Sequence, residues 1–319
     1  MGFSIKEELK KLIKKVFGKI KQTKECENWR KNRLEMIIQC LCITSFFTKA
    51  PKRLKNLTLN VQEKYLSYKK IIIRYKTLGP DINKGTTQRL VIAFHEVTAS
   101  KEQNDVHYQN VENLFAYDDE TTVLLLRAPK DSEDAWDMPD IYFIINELID
   151  YVHLNNYADS NKVCLMGWGR GGRIALQIAR AMPHRFCGVF VEDADLTGIS
   201  LRNFCNVSLG LSFSSTVFAE PKIALGVEGA IKQLKEYKRD NAKEYTYRVH
   251  TADSTIGKEE ILKWVLQSVR NPYPRRIEWE RVDEFSSTSC YWLEIAFDDK
   301  TSNRHLSATI NENGIFSLA

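Results

Sequence analysis

Short apolar runs alternate with amphipathic stretches through the middle of the chain. The runs are rich in Val, Ile and Leu, which is typical of strands buried on both faces of a parallel sheet. They predict strands at Lys70–Tyr75, Arg89–Phe94, Thr122–Leu126, Lys162–Met166, Cys187–Val191, Val207–Phe213 and Tyr245–Val249. Between them, apolar residues recur at three- and four-residue spacing and predict helices at 102–116, 139–155, 171–182, 221–238 and 258–269. This alternation predicts a mostly parallel, doubly wound α/β sheet.

The pattern changes on both sides of this region. After Pro272 and Pro274, apolar and polar residues alternate in short runs, which predicts a small antiparallel β appendage over 273–319. Its predicted strands are Arg276–Val282, Cys290–Phe297, His305–Ile310 and Gly314–Leu318. Residues 3–20 place apolar residues between six lysines, which predicts a basic amphipathic helix. We therefore expect a helical extension over 1–55 and an α/β domain over 56–272.

The charge of the chain is unevenly distributed. The formal net charge is +5, but residues 1–60 carry fifteen Lys and Arg against five Glu, so residues 61–319 are net acidic. The fold itself is therefore not basic, and we expect no nucleic-acid binding. The helix at 3–20 attaches to an anionic membrane surface or an acidic partner, or it docks on its own domain with its lysines in solvent. The sequence leaves these alternatives open.

The cysteines indicate a reducing compartment. They number seven, an odd count, and show neither a CxxC pair nor a zinc-ligand spacing. We expect reduced thiols, no metal and no cofactor in a cytoplasmic protein, with peripheral membrane association as an alternative. The longest uncharged stretch, Met36–Thr48, is too short to span a bilayer.

A glycine-rich turn follows the fourth predicted strand and opens a helix. Its sequence, Gly167-Trp168-Gly169-Arg170-Gly171-Gly172, fits the GxGxxG fingerprint of dinucleotide-binding folds, with Glu192 and Asp193 about twenty residues further on. It also fits the GxSxG nucleophile elbow, with Gly169 in place of the serine. The dinucleotide turn normally follows the first strand, so the position of this turn favours the elbow.

From about residue 70 to residue 270 the chain resembles the α/β-hydrolase superfamily, in the branch of esterases, dienelactone hydrolases and polyhydroxybutyrate depolymerases. Residues 90–96 occupy the place of the strand that ends in His-Gly-Gly, and residues 124–129 that of the next strand. The elbow strand and turn match residues 162–172, and residues 179–186 match the segment that follows. The resemblance implies a sheet of the α/β-hydrolase type and, in an active member, carboxylic-ester hydrolysis.

The nucleophile and the oxyanion site of such an enzyme are altered in this sequence. Acyl transfer needs a hydroxyl or thiol at the elbow and two N–H groups that face the oxyanion. Gly169 has no side chain that could attack a substrate. The only group that the turn still offers is the Arg170 amide, at the position of one oxyanion donor. His95 is followed by Glu96 instead of glycine, which places a carboxylate where it would repel an oxyanion. We expect His95 to be a structural residue at the strand end.

The acid and the base are displaced as well. The loop at 212–217, which the resemblance assigns to the acid, holds no Asp or Glu, although Asp193 or Asp195 after the preceding strand could replace it. The loop at 251–257, which should hold the histidine, has none, and His250 lies at the end of the strand before it. These three residues are weak catalytic candidates, and each also fits a structural role.

Three functions remain open. The first is a non-catalytic homologue, a pseudoenzyme that binds a ligand or a protein. Its helix N-terminus would offer free amides and the Arg170 side chain to a small anionic or acyl ligand, with Trp136 as a further wall. The predicted ligand-binding residues are Glu96, Trp168, Gly169, Arg170 and Gly171.

The second is an active carboxylesterase-like hydrolase without the serine, in which His250 acts with Asp193 or Asp195 on water or through Cys205. The third is a dinucleotide-binding domain that uses Gly167–Gly172. The sequence favours the first of these three functions, because every group required for acyl transfer is missing or displaced.

Overall fold

The fold is built around one nine-stranded sheet. The structure, a computed structural model, describes residues 57–60, 63–80, 89–114, 121–155, 157–240, 243–281, 285–294, 305–311 and 316–318. The predicted extension over 1–55, with its helix at 3–20, lies outside the described residues. The sheet strands are β1 (Leu57–Asn60), β2 (Tyr65–Tyr68), β3 (Ile71–Leu78), β4 (Arg89–Phe94), β5 (Thr121–Leu126), β6 (Val163–Trp168), β7 (Gly188–Glu192), β8 (Ser208–Ser212) and β9 (Tyr247–His250).

The strand order is β1-β2-β3-β5-β4-β6-β7-β8-β9. Strands β1, β2 and β3 form an antiparallel meander, and β3 also runs antiparallel to β5. From β5 to β9 every neighbouring pair is parallel. The mostly parallel sheet predicted from the apolar runs is therefore confirmed, and the edge strand β1 and its neighbour β2 are two strands that the pattern did not predict.

Five helices cover the two faces of the sheet in the described part of the chain. They are α1 (Lys101–Leu114), α2 (Asp140–Leu154), α3 (Arg170–Ala181), α4 (Pro221–Asp240) and α5 (Lys258–Leu266). Buried residues of α2, α3 and α4 share one core cluster, and those of α1 and α5 share the other. In β4, Leu90, Ile92 and Phe94 face the first cluster while Val91 and Ala93 face the second. A strand covered on both sides has no polar face, which explains its continuous apolar run.

The C-terminal part forms two small antiparallel units. Strands β10 (Arg276–Glu280), β13 (His305–Ile310) and β14 (Phe316–Leu318) make a three-stranded sheet, and β11 (Ser289–Cys290) pairs with β12 (Leu293–Glu294). The predicted continuous strand at Cys290–Phe297 is wrong, because Tyr291 has a positive φ of 55° and turns the chain into a hairpin. The proposed boundaries at residues 55 and 272 stay predictions.

No described helix is both long and apolar enough to cross a membrane.

Candidate functional site

The turn between β6 and α3 has the geometry of a nucleophile elbow. The residue at its tip, Gly169, has φ 52° and ψ −119°, a region that strains any residue with a side chain. Its N–H donates to the Glu192 carbonyl at 2.8 Å, and its own carbonyl accepts from the Arg173 N–H at 3.0 Å. The turn is therefore held from both sides, and the tip projects at the carboxyl edge of the parallel strands.

The flanking glycines are required by close packing. A Cβ at Gly167 would collide with the carbonyl of Gly171, and a Cβ at Gly171 would collide with the carbonyls of Phe94 and His95. The first turn of α3 thus crosses directly over the ends of β6 and β4. These contacts explain the glycines at 167 and 171 without a bound nucleotide, since backbone atoms of the chain itself fill the space.

The Glu96 carboxylate occupies the space where an elbow nucleophile would stand. A Cβ built on Gly169 would coincide with Glu96 Oε2. That oxygen accepts the Arg170 N–H at 2.9 Å, and Oε1 accepts the Val97 N–H at 3.0 Å. The amide after the elbow residue and one from the β4–α1 loop are the two donors of an oxyanion hole in this fold. Both donors therefore already hold an internal carboxylate.

The Arg170 side chain fixes this arrangement from outside. Its Nη1 lies 3.5 Å from Glu96 Oε1 and donates to the Val97 carbonyl at 3.3 Å, and its Nη2 donates to Glu133 Oε2 at 2.6 Å. Burial raises the pKa of Glu96, although the Arg170 amide and guanidinium favour its ionised form. The prediction of a free amide at Arg170 is therefore wrong, because this N–H already donates to Glu96.

His95 has the structural role expected from the sequence. The side chain is fully buried; Nδ1 lies 2.6 Å from the Glu96 carbonyl, and Nε2 accepts the Ala128 N–H at 3.0 Å. Both contacts are satisfied by a neutral ring with its proton on Nδ1. Burial lowers the pKa of His95 to about 4. The ring therefore ties the β4–α1 loop to the end of β5 and does not reach the elbow as a base.

Asp193, at the end of β7, serves the neighbouring loop. It has a positive φ of 54°, which Asp tolerates better than most residues. Its carboxylate accepts the Ser214 N–H at 2.6 Å and the Ser214 hydroxyl at 2.8 Å. Both oxygens are thus used to hold the loop after β8.

Asp195 and His250 are not brought together by their hydrogen bonds. Asp195 accepts the Thr197 N–H at 2.8 Å and lies 3.4 Å from the Arg173 guanidinium. Nδ1 of His250 lies 2.7 Å from the Ile256 carbonyl, so its N–H donates to that carbonyl. In a catalytic histidine the same N–H would donate to an orienting carboxylate. Among the described contacts of these residues, none joins His250 to either aspartate.

Cys205 is the wrong residue for a nucleophile in this fold. It precedes β8 and so lies at the amino edge of the parallel strands, whereas the elbow lies at the carboxyl edge. It is buried, and burial raises the pKa of its thiol to about 12. The hypothesis of a hydrolase that uses Cys205 therefore has no support from its position or from its protonation.

The two tryptophans considered as pocket walls are packing residues. Trp136 is buried edge-on against Phe94, and its Nε1–H donates to the His95 carbonyl at 3.0 Å. Trp168 donates to Glu192 at 2.9 Å and packs against Phe190. Trp136 is thus fully buried by its contacts, whereas Trp168 is partly exposed beside the elbow.

A separate groove of about 650 Å³ lies between helix α4 and the loop at 196–202. Leu196, Ile199 and Leu225 contribute apolar lining, Lys222 and Arg202 contribute positive charge, and Gly229 leaves the helix surface open. Glu280 also lines it, where its carboxylate accepts the Ser200 hydroxyl at 2.6 Å. The sequence pattern did not reveal this groove, because it depends on how the loop at 196–202 packs beside α4 in the folded chain.

No protein-family model matches the sequence, and no curated protein matches it. Among solved structures, an enterochelin esterase from Shigella flexneri is 14% identical, covers 61% of this chain and 53% of its own, and has a TM-score of 0.42. A lipase/esterase from Lactobacillus plantarum is 8% identical over 66% of this chain and 96% of its own, with a TM-score of 0.44. A carboxylesterase from Bacillus cereus is 14% identical over 60% and 92%, with a TM-score of 0.39.

The chain spans about half the length of the Shigella enzyme. Because all three TM-scores are low, the fold assignment rests on the strand order and on the position of the sharp turn after β6. The mostly parallel sheet and the strand–turn–helix elbow at this position are those that the resemblance implies. The chain is an α/β-hydrolase-fold protein.

Proposed function

We propose that this protein is a non-catalytic member of its fold class and acts as a binding module. The observation that carries this proposal is the position of the Glu96 carboxylate. It fills the space of the nucleophile and accepts hydrogen bonds from both oxyanion donors. A substrate carbonyl at this site would meet a negative charge and no free N–H group. The transition state of acyl transfer would therefore be repelled where an enzyme stabilises it.

The two alternatives receive less support from the geometry. In a dinucleotide-binding domain the pyrophosphate lies on the helix N-terminus, but here Glu96 already accepts the Arg170 amide. In an unorthodox hydrolase, His250 would need an orienting carboxylate at Nδ1, and this nitrogen lies against the Ile256 carbonyl instead.

The absence of catalysis is tested with a p-nitrophenyl ester and a fluorophosphonate probe. We expect neither turnover nor covalent labelling by the wild type or by Gly169→Ser. The Gly169→Ser, Glu96→Ala double variant is the control. It has a serine at the elbow and no carboxylate on the two oxyanion amides, so its turnover shows whether the remaining groups can still support catalysis. Turnover by the wild type that disappears in His250→Ala would overturn the proposal in favour of the active hydrolase.

The groove beside α4 fits the ligand class better than the elbow does. An anionic acyl ligand needs apolar contact for its chain and a cation for its head group. The groove offers Leu196, Ile199 and Leu225 for the first and Lys222 for the second. We therefore infer that a small anionic acyl ligand binds beside α4, whereas at Arg170 it would have to displace Glu96.

A thermal-shift titration with medium-chain fatty acids tests this location, with their methyl esters as uncharged controls. Gly229→Leu should abolish the shift, because a Cβ at Gly229 meets nothing within 4 Å and a larger side chain would fill the groove. Arg170→Ala is the matched elbow variant and should keep the shift. Loss of the shift in Arg170→Ala alone would place the ligand at the elbow, and no shift with any fatty acid would contradict this ligand class.

We also propose that the basic segment at 3–20 attaches the protein to an anionic membrane surface. Its support is the charge distribution, since residues 1–60 carry fifteen Lys and Arg against five Glu while the remainder is net acidic. Apolar residues spaced between the lysines would enter the interface once the lysines have brought the segment to it.

A further inference from the structure

Two buried thiols lie side by side at the amino edge of the parallel strands, opposite the elbow. Cys164 is the second residue of β6, and Cys187 comes directly before β7, which pairs with β6. Their Sγ atoms are 3.3 Å apart. Two neutral sulfur atoms at this distance share a hydrogen bond, so the thiols are in direct contact.

A guanidinium covers the pair. Arg89, the first residue of β4, places Nη1 3.8 Å from the Cys164 sulfur and 3.6 Å from the Cys187 sulfur. The same nitrogen donates to the Ser268 carbonyl at 2.7 Å, which fixes it beside the thiols. A cation in contact with two thiols favours the thiolate form, which is the reactive form of cysteine.

We propose that Cys164 and Cys187 are a redox-active thiol pair that a peroxide oxidises to an internal disulfide. The backbone geometry allows the bond. Adjacent strands lie ~4.8 Å apart and one residue of offset adds ~3.3 Å along the strand, so the two Cα atoms are about 6 Å apart, within the usual disulfide range. The pair is independent of the elbow and of the groove.

The oxidation balances with one peroxide. The Cys164 thiolate attacks one peroxide oxygen, the O–O bond breaks, and a sulfenic acid and hydroxide are formed. Cys187 then attacks the sulfenic sulfur, the S–S bond forms, and a second hydroxide leaves. Each hydroxide takes up one thiol proton, so two thiols lose two electrons and the peroxide becomes two waters.

The environments of the two thiols fit these different roles. The hydrogen bond from Cys187, together with Arg89, lowers the pKa of Cys164, whereas the same contact and burial raise the pKa of Cys187. The geometry separates them in the same way, because Sγ of Cys187 donates to the Val163 carbonyl at 3.2 Å while the carbonyl nearest to Sγ of Cys164, that of Val265, is 3.7 Å away. Cys187 therefore keeps its proton and is the resolving thiol, and Cys164 is the attacking thiolate. Cys205, which is buried with a raised thiol pKa, serves as an internal comparison.

Access requires only a local opening. Both cysteines are buried, and the groups that contact them include the partly exposed Arg89 and the carbonyl of Val265 in the last turn of α5. Helix ends open more readily than sheet cores, and a peroxide is close to water in size. Movement of Arg89 or of this helix end would admit it.

The test is peptide mapping of the folded full-length chain after brief peroxide treatment. Trypsin releases Cys164 in peptide 163–170 and Cys187 in peptide 186–202. We expect these peptides to appear as one disulfide-linked species, two hydrogen masses below their sum, and to separate again with dithiothreitol. Recovery of both peptides with free thiols, at a peroxide dose that oxidises glutathione, would overturn the proposal, as would equal cross-linking of the urea-unfolded chain.

Two variants assign the roles. In Cys187→Ser, Cys164 should be trapped as a sulfenic acid by dimedone, while Cys205 stays unlabelled. In Arg89→Gln, the pH profile of the oxidation rate should shift to higher pH because the thiolate loses its cation. A profile that does not move would remove Arg89 from the proposal. If Cys187→Ser does not fold, Cys187→Ala serves instead, and mapping of the wild type alone still decides whether the bond forms.

Discussion

Gly169 and Glu96 depart from the hydrolase pattern in complementary ways. Gly169 has no side chain, and the carboxylate of Glu96 fills the space that a side chain at 169 would occupy. β4 and β6 are neighbours in the sheet, with Phe94 paired to Gly167, so the residues that follow the two strands meet. The two substitutions therefore make one structural unit.

Gly169→Ser should lower the free energy of unfolding by about 2–4 kcal/mol, because the positive φ strains a residue with a Cβ and the carboxylate must move away from its two amides. Chemical denaturation measures this loss. Gly169→Ala has the same Cβ without the hydroxyl and should show a similar loss.

Adding Glu96→Ala to Gly169→Ser tests whether the two residues are coupled. The collision is removed in the double variant, so its loss should be smaller than the sum of the two single losses by about 1–2 kcal/mol. Strictly additive losses would mean that Glu96 does not occupy the elbow in solution.

Asp193→Ala should cost about 1–3 kcal/mol of stability, because it removes two hydrogen bonds to Ser214 and leaves a residue with positive φ that lacks the tolerance of Asp. Asp193→Asn keeps an acceptor and should cost clearly less. An unchanged melting curve for Asp193→Ala would count against this structural role and return Asp193 to the catalytic candidates.

His95 should make the protein less stable as the pH falls. Its pKa is lowered to about 4 in the folded state, below the ordinary value of 6.5, so the unfolded chain binds the proton more tightly between these values. The stabilisation is complete above pH 6.5 and is lost as the pH falls towards 4, by at most about 3 kcal/mol. His95→Gln lacks this titration, so its stability should depend less on pH in that window; equal pH dependence would contradict the assignment.

At the scale of elements, the sequence predicts the strands that are buried on both faces, but it does not predict β1 and β2. β4 to β8 are buried on both faces, and their apolar runs make them visible. The edge strand β1 and its neighbour β2 have only four residues each, so their pattern is weak. The turn at Tyr291 depends on a positive φ, which the residue type Tyr does not indicate, so the sequence pattern does not predict the hairpin β11–β12.

The sequence likewise predicts one part of the candidate site and not the other. The elbow at Gly167–Gly171 is readable from the sequence because its glycines follow from local geometry. The contact between Glu96 and the Arg170 amide is not, because it depends on the path of the β4–α1 loop and on a side-chain rotamer. The unusual pairing of Gly169 with Glu96 was the signal that could have revealed it, given that their strands are neighbours.

Helix α4 contains two glycines that should respond oppositely to alanine. A Cβ at Gly229 meets nothing within 4 Å, so Gly229→Ala should stabilise the helix by about 0.5–1 kcal/mol. A Cβ at Gly226 would lie 2.6 Å from the Thr197 hydroxyl oxygen and 3.0 Å from its backbone nitrogen, so Gly226→Ala should destabilise by about 1–3 kcal/mol. Equal effects in thermal denaturation would mean that the loop at 196–202 does not pack on α4.

At the scale of the whole molecule, the charge is divided between a basic beginning and an acidic remainder. Such a division favours attachment at one end, because the acidic part is repelled by the surface that attracts the basic part. The six lysines between residues 3 and 20 each add about 1 kcal/mol near an anionic surface at low salt.

The full chain should therefore sediment with phosphatidylserine vesicles at low salt and be released at high salt, and it should not sediment with neutral vesicles. A chain that lacks residues 1–24 should stay in the supernatant in all cases. A variant with Lys10, Lys11, Lys14 and Lys15 changed to Gln keeps the apolar residues of the segment and controls for them; it should bind weakly because the initial attraction is lost. Equal sedimentation of the full and shortened chains would remove the membrane proposal and leave the basic segment to an acidic partner or to its own domain.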